Sequence, residues 1–130
     1  MKPVGQAFVS AESPFESVGH GGREICIGQC ISTFIIPGMG LGALVAEVRS
    51  VTNRMFRCSA GCLAQHVLDG DLAAGAFYPL GRDLRRVSMR IAETVVRKAC
   101  DSGVARAFAD DAMPRAVREA QWEPVYRPFA

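Results

Sequence analysis

Thr33-Phe34-Ile35-Ile36-Pro37-Gly38-Met39-Gly40-Leu41-Gly42-Ala43 is the stretch on which the fold turns. β-Branched and aromatic side chains dominate Thr33 to Ile36, and Pro37-Gly38 stops the run, so it reads as a buried strand. Past the glycines, Leu41, Leu44, Val45 and Val48 recur at intervals of three and four, the spacing of a helix face. Strand, glycines and helix in that order resemble a dinucleotide-binding turn. Gly38, Gly40 and Ala43 satisfy G-x-G-x-x-A, in which small residues let the backbone approach a pyrophosphate at a helix N-terminus. Against that reading, Pro37 sits between strand and turn, and no acidic residue follows in a second strand about 20 residues on. Close packing at the start of the helix explains the same glycines.

Downstream the pattern stays helical. Thr52 or Ser50 can cap a second helix running to about Val67, with Met55, Cys58, Cys62 and His66 on one face and Asp69-Gly70-Asp71 as its breaker. Phe77 to Gly81 reads as a loop. Asp83 then stands near the start of a long helix, its carboxylate at the positive end of the dipole. That helix buries Leu84, Val87, Ile91, Val95 and Ala99 and ends at Gly103. A short helix of about Ala112 to Ala120 leads into a tail that Pro124 and Pro128 keep extended.

Upstream, Ala7-Phe8-Val9 lies in a short apolar run from Gln6 to Ser10 that reads as a strand, bounded by Ser13-Pro14. Gly19-His20-Gly21-Gly22 reads as a flexible connector, and Glu24-Ile25-Cys26-Ile27 as a short strand before Gly28-Gln29.

At 130 residues and 49% hydrophobic, the chain can bury one small core but not separate cofactor and substrate regions. The net charge of +2, with 22% charged residues, implies no electrostatic partner. Arg82, Arg85, Arg86, Arg90 and Arg97 spread over more than one face of a helix and read as solvated, so no nucleic acid is expected. No stretch approaches the roughly 20 apolar residues that span a bilayer, and no secretory signal opens the chain. Five cysteines, an odd number, fit free and mostly buried thiols in a reducing compartment, the cytoplasm or an organelle of the same redox poise.

Cys58, Cys62 and His66 fall at i, i+4 and i+8 and share a helix face, but zinc sites usually draw ligands from two elements with a tighter C-x-x-C knuckle. Cys26-x-x-x-Cys30 is no stronger. His20 has no nucleophile in a local motif beside it, and Asp69-Gly70-Asp71 and Asp110-Asp111 read as turns. No catalytic residue and no metal ligand is assigned on these grounds.

Taken in order, several blocks resemble the closing part of malic enzymes. Gly5-Gln6-Ala7-Phe8-Val9 with Ser13-Pro14-Phe15 is similar to the family's G-R-A-x-x-A-S/T-G-S-P-F. Ile27-Gly28-Gln29 and Phe34 to Gly42 are similar to I-G-Q-x-N-N-x-x-I-F-P-G-x-G-L-G. Val51-Thr52-Asn53-Arg54-Met55-Phe56, then Tyr78-Pro79 with Asp83-Leu84-Arg85 and Val87-Ser88, then Trp122-Glu123-Pro124 with Tyr126, continue the match nearly to the end.

The resemblance implies an α/β fold in which residues 1–130 form the C-terminal part of an NAD(P)-binding domain. Two or three late strands of a partial Rossmann-like sheet fall within about 6–36, helices within about 40–120, and an extended tail at 121–130. It implies oxidative decarboxylation of malate to pyruvate with NAD or NADP and magnesium or manganese. The family's tyrosine acid, lysine base, acidic metal ligands and true dinucleotide turn lie upstream of the matched segment. None of these cofactors is therefore expected to bind tightly to this chain alone, and the isolated chain is expected to be inactive.

In the family the P-G-x-G-L-G segment packs a late strand against the following helix. The family's asparagine pair, beside malate and nicotinamide, falls here on Ile31 and Ser32; isoleucine can neither donate nor accept, and serine is shorter. The family glycine before Ser-Pro-Phe is Glu12. The expected partners are a second copy of the chain or a full-length malic enzyme subunit, with no membrane.

Overall fold

The computed structural model describes residues 9–73, 78, 83–106, 108–109 and 111–126. It is an α/β arrangement in which small β elements precede a helical body. β1 (Ser10–Ala11) and β4 (Gly28–Gln29) pair in parallel, Ser10 opposite Gly28 and Ala11 opposite Gln29. Gly28 N–H donates to Val9 O at 3.0 Å and Cys30 N–H to Ala11 O at 2.8 Å, which extends the ladder by one bond at each end.

Between them, β2 (Val18–His20) and β3 (Arg23–Ile25) form an antiparallel hairpin. Its two-residue turn is Gly21-Gly22, with φ of 59° and 76°. Two positive φ values match the twist of a tight hairpin and suit glycine, so the glycine-rich connector is an ordered turn. The strand expected over residues 24–27 is shifted accordingly: Ile25 closes the hairpin, and Gly28-Gln29 forms the parallel strand. Gln6 to Phe8 of the first expected strand lie outside the described residues.

The strand expected at Thr33–Ile36 is not one. Ser32–Phe34 forms a 3-10 turn that runs through Ile35 into α1 (Ile36–Val45). Pro37 occupies the first turn of α1, where its missing N–H is an orphan in any case. The β-propensity of the stretch loses to packing, because the turn buries Phe34 against the core.

α1 has no polar side chain on any face, the composition of a helix meant to be covered all round. It ends with Glu47 in the left-handed region (φ 48°). Glu47 N–H donates to Leu44 O and Val48 N–H to Ala43 O, the paired bonds of a Schellman motif.

α2 (Asn53–Ala64) starts as expected at Thr52, whose Oγ1 accepts from Met55 N–H at 3.4 Å. The Met55 sulfur stands 3.5 Å from Thr52 N, filling the place a glutamate takes in a capping box. The helix stops short of Val67. Asp69-Gly70, expected as a breaker, instead opens a short helix, α3 (Asp69–Ala73).

α4 (Leu84–Asp101) is the centre of the body, with α1, α2 and α5 (Met113–Ala120) packed on it. Val87, Ile91, Val95 and Ala99 recur at four-residue spacing beside Ala92 and Val96, and all six are fully out of solvent. Leu84 is half-buried. Arg85, Arg86 and Arg90 point outward and pair with Glu123, Asp83 and Glu93. Gly103 (φ 66°) closes the helix with a second Schellman pair, Gly103 N–H to Cys100 O and Val104 N–H to Ala99 O.

The α1–α4 contact is made at backbone distance. A Cβ on Gly38 would stand 2.5 Å from Ser88 O and 2.8 Å from Ile91 Cβ; one on Gly42 would stand 2.7 Å from Ala92 O and 2.8 Å from Val95 Cβ. Around Gly40 the space is open. Close packing thus accounts for two of the three glycines, and it is helix on helix, not strand on helix.

Gly42→Ala should destabilise the chain by about 1–3 kcal/mol through overpacking against a backbone carbonyl. Gly40→Ala, on the open side of the same helix, should stabilise it by up to about 1 kcal/mol through helix propensity. Urea unfolding of the two variants against wild type reads the difference in sign.

Candidate functional site

Ile31 and Ser32 lie between the end of β4 and α1, and their surroundings are fixed by a residue distant in sequence. The Cys30 thiol donates to the Tyr78 hydroxyl at 3.0 Å, and the Phe34 ring stacks on the Tyr78 ring with centroids 6.1 Å apart. Tyr78 therefore holds the segment from both ends. Between those holds, Ile31 is half-buried against the core and Ser32 is exposed. Gln29 Nε2 donates to Glu12 O at 3.3 Å, tying the same segment to the end of β1, while the Glu12 side chain faces solvent.

The donor set at this position is small. Ser32 contributes one hydroxyl, Cys30 a thiol and Tyr78 a phenol; Ile31 contributes shape only. The hydrogen bond with Cys30, and then burial, push the Tyr78 phenol above its ordinary value. Spacing alone did not reveal this pairing, because Cys30 and Tyr78 are 48 residues apart and each falls in a loop-like stretch.

The other candidate positions do not converge. Gly38, Gly40 and Ala43 lie within α1 and point to different sides: Gly38 onto α4, Gly40 to open space, Ala43 half-buried beside the core. They form helical turns, not a loop between strand and helix. No concave cradle for a pyrophosphate is built from them.

Cys58, Cys62 and His66 are each engaged separately. Cys58 Sγ donates to Met55 O at 3.1 Å, Cys62 is buried, and His66 Nδ1 stands 2.7 Å from Cys62 O. Burial raises the Cys58 thiol, outweighing the lowering influence of Lys98, so the thiolate a metal requires is disfavoured. Among the described residues, no three His, Cys, Asp or Glu side chains are grouped to hold a metal ion. His20 sits exposed at the hairpin, opposite Arg23. Asp111 lies in the turn before α5, and Asp110 is outside the described residues.

The five cysteines are free: Cys62 is buried, Cys26, Cys58 and Cys100 are half-buried and Cys30 is exposed. Burial is thus less complete than expected. Among the described residues, no helix is long and apolar enough to cross a membrane.

Tyr78→Ala should lower stability by about 1–2 kcal/mol through loss of the ring stack and its buried area, and should speed alkylation of Cys30. Tyr78→Phe keeps the stack and should cost no more than about 1 kcal/mol. In wild type the phenol should titrate above the ordinary tyrosine value, and in Cys30→Ala closer to it, as read from ultraviolet absorbance of the phenolate.

Comparison with known proteins places these elements in a family. The family model described as malic enzyme, NAD binding domain, matches residues 3–100. The NAD-dependent malic enzyme of Vibrio campbellii (strain ATCC BAA-1116) is 39% identical over 125 residues, covering 96% of this chain. NAD-dependent malic enzyme 1 of Vibrio vulnificus (strain YJ016) is likewise 39% identical, and that of Aliivibrio fischeri (strain ATCC 700601 / ES114) 38%, over the same share. The chain spans 22% of the length of each of these relatives. The matched family model and this extent of identity agree: the chain belongs to the malic enzyme family, as a segment of its NAD-binding domain.

Proposed function

We propose that this chain is the C-terminal segment of a malic enzyme's NAD(P)-binding domain. In the complete enzyme it would serve oxidative decarboxylation of malate to pyruvate with NAD or NADP and magnesium or manganese. The observation that carries the reading is identity of 39% spread over 96% of the chain but only 22% of the relative.

The residues present do not fit the metal, since the described ones bring no acidic set together. They do not fit the dinucleotide's pyrophosphate either, since the candidate glycines are inside α1. What this chain supplies at the family's substrate-adjacent position is the exposed Ser32 hydroxyl beside Ile31, on a segment held by Tyr78. An isoleucine there cannot orient a carboxylate by hydrogen bonding. The isolated chain accordingly has no turnover of its own. The unpaired cysteines support a reducing, cytoplasmic setting.

A second reading rests on α1. Its outer side exposes Ile36 and Leu44, Leu44 at 78%, with no polar residue anywhere on the helix. Apolar surface of that kind is suited to burial against another protein surface. In this reading the chain pairs with itself or with a full-length malic enzyme subunit through that face.

Purified chain with malate, NAD or NADP and manganese should yield no reduced nicotinamide; steady turnover would overturn the first reading. For the second, analytical centrifugation should show self-association, or complex formation with a full-length malic enzyme, that Leu44→Lys abolishes. A monodisperse monomer that ignores the full-length enzyme would remove it.

A further inference from the structure

The C-terminal turn of α2 and the middle of α4 enclose a cleft of about 400 Å³ that none of the roles above uses. Its polar lining is Gln65 and His66 from the turn that closes α2, and Arg90, Glu93, Thr94 and Arg97 from α4. Arg90 and Arg97 are seven residues apart, two helical turns, so their side chains leave the same face about 10 Å apart along the axis. Both are long enough to turn toward a ligand between them.

The state of each group decides what that ligand can be. Among the described residues Arg97 forms no ion pair; its near acid, Asp101, is held by Lys98 at 2.9 Å. Arg90 is tied to Glu93 at 3.3 Å, but its side chain is 64% exposed, and surface pairs of this kind are worth at most about 1 kcal/mol. The Gln65 carboxamide makes no hydrogen bond among the described residues and offers two N–H donors.

A carbonyl can only accept, so the 2.7 Å contact with Cys62 O puts the His66 proton on Nδ1 and fixes the ring. The negative end of α2 is also largely satisfied, since the carbonyls of Gly61, Leu63 and Ala64 accept from Gln65, His66 and Val67 N–H. The open end of the cleft is therefore donor-rich, with guanidinium on one wall and an amide on the other.

We propose that this cleft binds the phosphate group of a small ligand, with Arg97 and Arg90 as its charged forks and Gln65 as the donor from the turn that closes α2. Guanidinium matches a phosphate edge bidentately, and donors from a helix and a facing turn suit a tetrahedral oxyanion. Glu93 is the opposing group: its carboxylate competes for Arg90 and repels the anion.

The test is titration of the full chain with inorganic phosphate and, separately, glycerol phosphate, at constant ionic strength, followed by amide NMR shifts of Gln65, His66 and Arg97. Saturable one-to-one binding is expected. Arg97→Gln should weaken it at least fivefold, Arg97→Lys by less, and Arg118→Gln on α5 not at all. Glu93→Gln should tighten it two- to fivefold, a gain that misfolding does not produce. Equal affinity for both probes identifies the free ion as the ligand, and tighter glycerol phosphate a phosphate ester. Shifts that grow linearly without saturation, or binding indifferent to Arg97→Gln, would overturn the proposal.

Discussion

The fold depends on how closely α1 can approach α4. With Gly38 and Gly42 on the contact side, the α1 backbone lies against the carbonyls of Ser88 and Ala92, closer than any side chain would permit. That approach brings Phe34, Met39 and Val45 into the same core as Ile91 and Val95. It also places the preceding 3-10 turn where Phe34 meets Tyr78. The position of Ile31 and Ser32 is therefore a consequence of glycine packing several residues downstream, and a larger residue at Gly42 would disturb the segment that carries them without touching it.

The helical body was largely legible in the sequence because its signals are local. Four-residue spacing marks Val87, Ile91, Val95 and Ala99; Thr52 caps α2; Gly103 ends α4. The misreadings fall where local preference and tertiary packing disagree. Thr33 to Ile36 has the composition of a strand, yet among the described residues no strand lies beside it, and burying Phe34 in the core around α4 stabilises a helical turn instead. Pro37, read as a strand stop, is equally a helix start. The Gly21-Gly22 hairpin was legible in principle, since two glycines between short extended runs are a hairpin signal.

The candidate site was less legible, and for a different reason. Its defining contacts join Cys30 and Phe34 to Tyr78 across more than forty residues, and no periodicity encodes such a pair. The glycine motif shows the opposite failure. G-x-G-x-x-A fits Gly38, Gly40 and Ala43 in spacing, but the chemistry of that motif belongs to a strand-to-helix turn, and here the backbone is helical throughout. Spacing without its structural setting carried no information about a ligand. Resemblance across ordered blocks did, because it drew on the whole chain.

The two halves of the described structure differ in how far they are completed by this chain. The helices bury a continuous core around α4 from their own residues. The β elements do not: residues 12–22 are exposed throughout, and the parallel pair β1–β4 has two residues in each strand. Parallel sheets are stable when both faces are covered, and two short strands alone bury too little to hold their register. Among the described residues β1 and β4 pair only with each other, and the outer side of α1 leaves Ile36 and Leu44 exposed. A helical core closed by its own side chains beside a sparsely buried pair of strands accords with a chain that spans 22% of the length of the related enzymes.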